Sequence, residues 1–298
     1  MGRCRFASGM GRRAAIGAGL GALVCLGSVA SGEVIWSVSF QNPQSIGASA
    51  PAISAALLAA GAEWSQYIVG NARLDVQVIV DSTISRAAAR SATSSYLFYN
   101  GQVSLYDQGA AAEIRTGIDP NGLTADIELF LSPSYLANEL WFDPDPLART
   151  APVPTTRTDA VSVFMHELGH AIGFNGWRDE RTGALPGYAS QFDALTVFDG
   201  TNFFFHGPEA IKEYGAPVPL TYGNIFHLGN NAPRPGSDLR SDLMNGVVFQ
   251  RGTRYDISRL DLAIMSDLGL DVTIPEVPSP GAPVMMGIAL LLMVRRRR

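Results

Sequence analysis

Two histidines and a glutamate in the segment VFMHELGHAIGF (residues 163–174) have the spacing that a zinc-binding helix requires. His166 and His170 are four residues apart, so on a helix their imidazoles lie on one face, one turn apart, and can bind the same Zn²⁺. Glu167 follows the first histidine, where it lies beside the metal and can take a proton from a metal-bound water. The pattern predicts metal-assisted hydrolysis, and its alternative is a solvated helix face without function.

The third ligand of such a site is missing from its usual position. Gly173 follows His170 as in the extended pattern H-E-x-x-H-x-x-G-x-x-H, where glycine permits a left-handed turn that returns the chain towards the metal. The last histidine of that pattern is replaced by Gly176, yet catalytic zinc usually has three protein ligands. His206 and His227 remain as histidine candidates. The acidic alternatives are Glu180, Glu209 and Glu213.

These motifs together resemble those of the metzincin zinc peptidases, and the leishmanolysin type in particular. HELGHAIGF is followed by a long insertion, a distant His227 and then Leu243-Met244-Asn245-Gly246, which resembles the methionine-containing turn below the zinc in that family. The resemblance implies His227 as the third ligand of one catalytic Zn²⁺. We expect a structural role for His206, with a substrate-side or alternate metal ligand as the alternative. The resemblance further implies that the phenol of Tyr255 lies near the oxyanion. It covers about residues 155–270 and lacks the disulfide framework of the family.

Hydrophobic periodicity predicts the elements that position the motif. Helices are predicted over residues 51–70, over 158–174 with Thr158 or Asp159 as the cap, and over 257–270, which resembles the C-terminal helix of matrixin-like peptidases. Strands are predicted over 73–81 and 125–133, a hairpin at Asn100-Gly101 and a loop over 142–157. The order indicates an α/β or α+β body. The resemblance implies a zincin-like fold: a mixed twisted sheet, an active-site helix and a C-terminal helical subdomain. We expect strand 125–133 to line the cleft and pair with an extended substrate.

Both ends of the chain predict export. Residues 1–30 have four arginines, an apolar run and a Ser28-Val29-Ala30 cleavage pattern, which is typical of a signal peptide. Residues 275–298 resemble the PEP-CTERM sorting signal of Gram-negative bacteria, with Pro278-Ser279-Pro280, a short apolar run and four arginines. The resemblance implies an exosortase-like partner, transient membrane contact and delivery to the cell surface or matrix. The alternative is a plain tail anchor. The metallopeptidase domain is then residues 31–274.

Charge and cysteine content exclude other classes of function. Between residues 31 and 280 lie 14 of the 22 basic residues and all 27 acidic ones, so this body has a net charge near −13 and is a poor partner for nucleic acid. Both cysteines, Cys4 and Cys25, lie in the predicted leader, which excludes disulfides and thiol chemistry in the exported body. The sequence contains no recognisable loop motif for binding Ca²⁺. The acidic loop residues that we expect at a solvated surface are Asp143, Asp145, Asp193 and Asp199.

Two hypotheses about function follow. In the first, the chain is a secreted or surface-delivered zinc endopeptidase that cleaves polypeptides, with Glu167 as general base and then general acid. In the second, it is a surface or matrix protein that keeps a zincin fold without catalysis. A retained glutamate favours the first, because a purely structural zinc site needs no base and closes its fourth position with a protein ligand.

Overall fold

A computed structural model describes residues 33–276 of the chain, all within one compact unit. The predicted signal peptide, the Pro278-Ser279-Pro280 motif and the apolar run after it lie outside the described residues. The helices are α1 (Pro43–Ile46), α2 (Ala50–Ser65), α3 (Gly109–Thr116), α4 (Pro133–Asn138), α5 (Ala160–Ile172), α6 (Gln191–Leu195), α7 (Pro208–Tyr214) and α8 (Arg259–Asp267). The strands are β1 (Val34–Phe40), β2 (Ile68–Val69), β3 (Ala72–Val80), β4 (Ala87–Ser91), β5 (Ser94–Tyr99), β6 (Ser104–Gln108), β7 (Ile127–Leu131), β8 (Leu140–Trp141), β9 (Thr158–Asp159), β10 (Tyr188–Ser190), β11 (Thr196–Phe198), β12 (Phe203–Phe205), β13 (Val218–Pro219) and β14 (Asp271–Val272).

The central sheet has the strand order β1-β3-β7-β4. β1, β3 and β7 are parallel to one another, whereas β4 runs antiparallel to β7 at the edge of the sheet. Along β3 the side chains of Leu74, Val76 and Val78 are buried and alternate with more exposed residues, as the period of two in a strand requires. The expected mixed sheet is therefore present, in an α+β arrangement.

Helices α2 and α5 pack against each other and against the sheet. α2 contacts β1, and α5 contacts β4 and β7. The indole Nε1 of Trp64 donates a hydrogen bond to the carbonyl of Met165 at 2.9 Å, deep in the core between the two helices. This contact fixes the position of α5, and therefore of its histidines, relative to the rest of the core.

The chain after α5 folds back onto the same core. α6 and the antiparallel strands β11, β12 and β13 lie in the insertion between residues 174 and 227, and α7 packs on the C-terminal helix α8. The side chain of Ser258 accepts a hydrogen bond from the amide of Asp261 and begins α8, as the sequence around residue 257 predicted. None of the helices in residues 33–276 is both long and apolar enough to cross a bilayer.

Most of the predicted elements are present, with shifted ends. The predicted helix 51–70 ends at Ser65, because Ile68–Val69 form β2 and pair antiparallel with β14. The hairpin at Asn100-Gly101 joins β5 and β6, and residues 142–157 contain neither helix nor strand. The expectation that strand 125–133 lines the cleft is wrong. That strand is β7, and it is enclosed between β3 and β4.

Candidate metal centre

Helix α5 places the motif in the interior of the molecule. Its N-cap is Asp159, whose carboxylate accepts a hydrogen bond from the amide of Ser162 at 3.0 Å. Every residue of the helix is buried, and His166, Glu167 and His170 are only 6–8% exposed. The alternative of a solvated helix face is therefore wrong, and three buried polar side chains need partners there.

The imidazole of His227 lies beside those of His166 and His170. The three Nε2 atoms are 3.1 Å (His166 to His170), 3.0 Å (His170 to His227) and 3.1 Å (His227 to His166) apart. Three nitrogens that share one tetrahedral zinc at about 2.0–2.1 Å lie about 3.3 Å from one another, so the observed triangle is close to that size. Three lone pairs at such distances repel each other unless a cation lies between them, and this donor set therefore fits a metal ion.

Hydrogen bonds at the other ring nitrogens determine the tautomers. Nδ1 of His166 lies 2.7 Å from the carbonyl oxygen of Leu243, and Nδ1 of His170 lies 2.7 Å from that of Phe174. A carbonyl only accepts, so both Nδ1 atoms carry the proton and both Nε2 atoms offer a lone pair. The Nδ1 atom of His227 is buried without a partner among the described residues.

The three imidazoles are held in the neutral form. Burial lowers the pKa of His166 to about 3, with a further contribution from the charge of His170, and lowers the pKa of His170 to about 4. Burial and its two neighbours lower the pKa of His227 well below the usual value. At neutral pH all three side chains are therefore ready to bind a metal without first losing a proton.

Packing at Gly176 explains why the third imidazole comes from a distant segment. A Cβ atom on Gly176 would lie 2.5 Å from Cγ of Asp193 and overlap its carboxylate oxygens. The side chain of Asp193 is fully buried and accepts hydrogen bonds from the amides of Trp177, Arg178 and Ser190 at 2.7–3.1 Å. This buried carboxylate anchors the start of the insertion and leaves no room for a side chain at position 176.

The turn at residues 242–246 positions two of the three histidines, His166 and His227. The amide of Leu228 donates to the carbonyl of Met244 at 2.8 Å, and the amide of Gly246 donates to the carbonyl of Leu228 at 3.1 Å. The carbonyl that accepts from His166 belongs to Leu243 in the same turn. One short segment therefore positions His227 through the backbone and His166 through its ring.

Two glycines allow this turn to approach the histidines closely. A Cβ on Gly169 would lie 2.7 Å from Sδ of Met244, so the fully buried methionine packs directly on α5 between the two histidine positions. A Cβ on Gly246 would lie 2.6 Å from Cβ of His227.

Gly173 has a different role from the one expected: its φ of −170° is extended, and it is packed against Met265 rather than in a left-handed turn.

Glu167 faces a cleft next to the triangle. The cleft has a volume of about 360 Å³. Burial raises the pKa of Glu167 to about 8, and a hydrogen bond with the backbone of Ala89 in β4 acts in the opposite direction. The cleft is lined by Arg86, Ala87, Ala88, Ala89, Tyr135, Val163, His166, Glu167, His170, Asn175, Asn224, Phe226, His227, Asn245, Gly246, Val247, Val248 and Phe249. A carboxyl with this pKa can take up and release a proton near neutral pH.

Several residues singled out in the sequence lie elsewhere. His206 is exposed after β12 and lies outside the histidine group. Glu209 pairs with Lys212 and Glu213 with Arg259, and Glu180 is outside the group as well.

Tyr255 is not in the cleft. Its ring stacks on Phe249, which in turn contacts His166, and its hydroxyl accepts a hydrogen bond from the amide of Gln250 at 2.9 Å. The expectation of a phenol near the oxyanion is therefore wrong, because Phe249 separates this ring from the histidines.

The acidic loop residues are a further correction. Asp143 is buried and pairs with Arg254 at 2.7 Å, and Asp193 is buried as described above, so neither lies at a solvated surface. Asp145 and Asp199 accept hydrogen bonds from loop amides. None of the four belongs to a group of metal ligands within the described residues.

A strand and a tyrosine that border the cleft were not predicted from the sequence. β4 is rich in alanine, so it has no β-branched or aromatic residues to indicate a strand. Tyr135 lies in the cleft wall, where burial raises its pKa to about 12 and the charge of Glu167 adds to the shift. The only signal for Tyr135 was its place directly after a clear strand, because residues that follow a strand often carry function.

Comparison with known proteins identifies no relative of this chain. No model of a protein family matches it, and a search of curated proteins also finds no match.

Proposed function

We propose that the chain is a secreted or surface-delivered zinc-dependent endopeptidase with a metzincin-like fold. The observation that carries this proposal is the triangle of three neutral imidazoles, with Nε2 atoms 3.0–3.1 Å apart, beside the carboxyl of Glu167 in a cleft. Export is supported by the sequence of the two ends.

The chemistry of the donors favours zinc in the triangle. Three imidazoles are a common protein ligand set for catalytic zinc and leave a fourth position open. No other His, Cys, Asp or Glu of residues 33–276 joins the three histidines to close that position. When bound there, zinc would act as a Lewis acid towards a carbonyl oxygen and lower the pKa of a bound water.

Glu167 is the group that moves protons. Its carboxylate takes a proton from the attacking water, and its carboxylic acid then gives a proton to the nitrogen of the peptide bond that breaks. The pKa of about 8 in the metal-free site makes protonation easy, and a nearby cation would lower that pKa. The same side chain therefore serves in both steps.

The edge strand β4 is the candidate binding site for an extended polypeptide. Within the described residues β4 pairs only with β7, and Ala87, Ala88 and Ala89 line the cleft. A free strand edge can form backbone hydrogen bonds with an added strand. Small alanine side chains leave room for those of a substrate. The substrate-binding role expected of strand 125–133 thus belongs to its neighbour β4.

A non-catalytic zincin-fold matrix protein is the less favoured alternative. That function would gain support if His206 closed the fourth position on the metal, but His206 is exposed and outside the group. A base in the cleft serves no purpose in a purely structural site.

The variant Glu167→Gln tests the proposal. We expect the purified variant to retain zinc, because Glu167 is not one of the three ligands, and to hydrolyse casein and quenched-fluorescent peptides about 10²–10⁴-fold more slowly. Glu209→Gln is the matched control, since Glu209 pairs with Lys212 away from the cleft and its loss should leave turnover unchanged. Wild-type turnover in Glu167→Gln would contradict the proposal.

A further inference from the structure

A second cluster of carboxylates lies outside the cleft. Glu113 is on α3, and Asp119 and Asp126 are on the loop between α3 and β7. One oxygen from each of the three lies within 4.8 Å of the others. Asp119 is exposed, whereas Glu113 is only 3% and Asp126 only 4% exposed.

Each buried carboxylate uses one oxygen and leaves the other without a partner. Glu113 Oε1 accepts a hydrogen bond from the amide of Arg73 at 2.8 Å, and Asp126 Oδ2 accepts one from the amide of Asp75 at 2.8 Å. Glu113 Oε2 and Asp126 Oδ1 are buried and have no hydrogen-bond donor. These are the oxygens left over for a ligand in the cluster.

The charge of the cluster is not balanced by basic side chains. No ion pair of the described residues includes Glu113, Asp119 or Asp126. Burial, with the nearby carboxylates adding to it, raises the pKa of Glu113 to about 7 and also raises the pKa of Asp126. A buried carboxylate must either pair with a cation or share a proton. Glu113 and Asp126 each have a buried oxygen without a donor, so one of these two states applies to them.

The loop is folded tightly around Asp119. Oδ1 of Asp119 accepts from the amides of Asn121 and Gly122 at 2.8 and 2.6 Å, and Gly122 has a φ of 68°. The side-chain nitrogen Nδ2 of Asn121 donates to the carbonyl of Thr124 at 2.6 Å, so Oδ1 of Asn121 points away from that carbonyl. That Oδ1 is also buried without a donor.

We propose that Glu113, Asp119 and Asp126 form a binding site for Ca²⁺. The ligands are all oxygens, which hard divalent cations prefer over zinc-type nitrogen and sulfur sites. Two oxygens bound to one Ca²⁺ at about 2.4 Å are at most about 4.8 Å apart, so the cluster meets this limit. A site with few ligands and an exposed carboxylate corresponds to the weaker, millimolar affinities of extracellular calcium modules.

Calcium at this position would join three parts of the fold. Glu113 belongs to α3, and Asp126 is bound to the backbone of β3 just before β7 begins. The ion would tie the 117–126 loop to the central sheet and stabilise the folded state by mass action. This function is independent of the histidine site, because the two clusters share no residue.

Calcium titration of the whole purified protein tests the proposal. In resin-treated buffer, thermal unfolding is followed with increasing CaCl₂, with heats of binding from calorimetry. We expect a rise in Tm of about 5–10 °C when Ca²⁺ is 100-fold above Kd, because mass action at that excess stabilises a domain of this size by this amount. NaCl of equal ionic strength is the control for screening and should have little effect.

Three variants assign the response to the cluster. Glu113→Gln and Asp126→Asn should abolish both the heat and the rise in Tm. Glu128→Gln should keep them, because Glu128 lies only two residues beyond Asp126 but pairs with Arg90 and is outside the carboxylate cluster. The proposal is overturned by a wild-type protein that binds no Ca²⁺ at 10 mM, on the order of the weakest sites, or by calcium binding that persists in both cluster variants. A higher calcium-free Tm in Glu113→Gln, without any wild-type response to calcium, would identify a shared proton instead.

Discussion

The substitution Gly176→Ala probes the packing that forces the third histidine to come from a distant segment. The new Cβ would lie 2.5 Å from Cγ of the buried Asp193, a distance that real Cβ contacts do not show. To relieve this overlap, the carboxylate must move away from the amides of Trp177 and Arg178, to which it is bonded at 2.7 and 3.1 Å. A change of one methyl group therefore perturbs both packing and charge-assisted hydrogen bonds.

The size of the effect follows from these two terms. Overpacking a tight site costs about 1–3 kcal/mol, and losing one hydrogen bond to a buried charge costs about 1.5–3 kcal/mol. Together they lower the free energy of unfolding by about 2.5–6 kcal/mol. For a domain of this size each kcal/mol lowers Tm by about 2–4 °C, so we expect a loss of at least about 5 °C.

Gly173→Ala is the matched comparison for this measurement. Its Cβ would meet the side-chain ends of Met265 and Leu268, which can move, whereas Asp193 is held by hydrogen bonds. Thermal unfolding by circular dichroism should therefore show the larger loss in Gly176→Ala. A Gly176→Ala protein that unfolds at the same temperature as wild type, or above Gly173→Ala, would refute this reasoning. In the same way, Gly176→His should not recover zinc in a His227→Ala background.

Two other predictions concern the histidine triangle and the carboxylate cluster. Gly246→Ala puts a Cβ 2.6 Å from the Cβ of His227. We therefore expect zinc affinity to fall about 10–100-fold in a competition assay with a chromogenic chelator. Unchanged affinity would contradict the close contact. Because the pKa of Glu113 is raised to about 7, its neutral form stabilises the calcium-free protein below about pH 4.5, and this contribution is lost as pH rises through about 7. The calcium-free Tm of Glu113→Gln should thus exceed the Tm of wild type at pH 8, and by a smaller amount at pH 5. A Tm difference between the two proteins that does not change with pH would be inconsistent with this pKa.

Short-range patterns in the sequence were sufficient for the helix that carries the motif. His166 and His170 share a face because a helix has 3.6 residues per turn, and the Asp159 cap defines where that helix begins. β3 and β7 were equally clear, since their buried residues alternate. The position of His227 was implied only by resemblance, since no local pattern relates residues 57 positions apart.

The features that the sequence did not predict depend on contacts between distant segments. β4 is a strand because it completes the sheet beside β7, not because Ala87–Ser91 favours one. The burial of Asp143 depends on Arg254, more than a hundred residues away, and Tyr255 is kept from the cleft by Phe249. The carboxylate cluster needs the turn at Gly122 to bring residues 113 and 126 together, and its oxygens match no standard calcium loop.

Metal content of the wild type and of two histidine variants tests the central claim most directly. The purified protein and its His227→Ala and His206→Ala variants are supplied with zinc, dialysed and analysed by mass spectrometry for zinc per chain. We expect about one zinc per chain in the wild type and in His206→Ala, and its loss in His227→Ala, because the proposed site needs all three imidazoles and His206 is outside the triangle. Zinc retained by His227→Ala, or a wild-type protein that binds none, would contradict this claim.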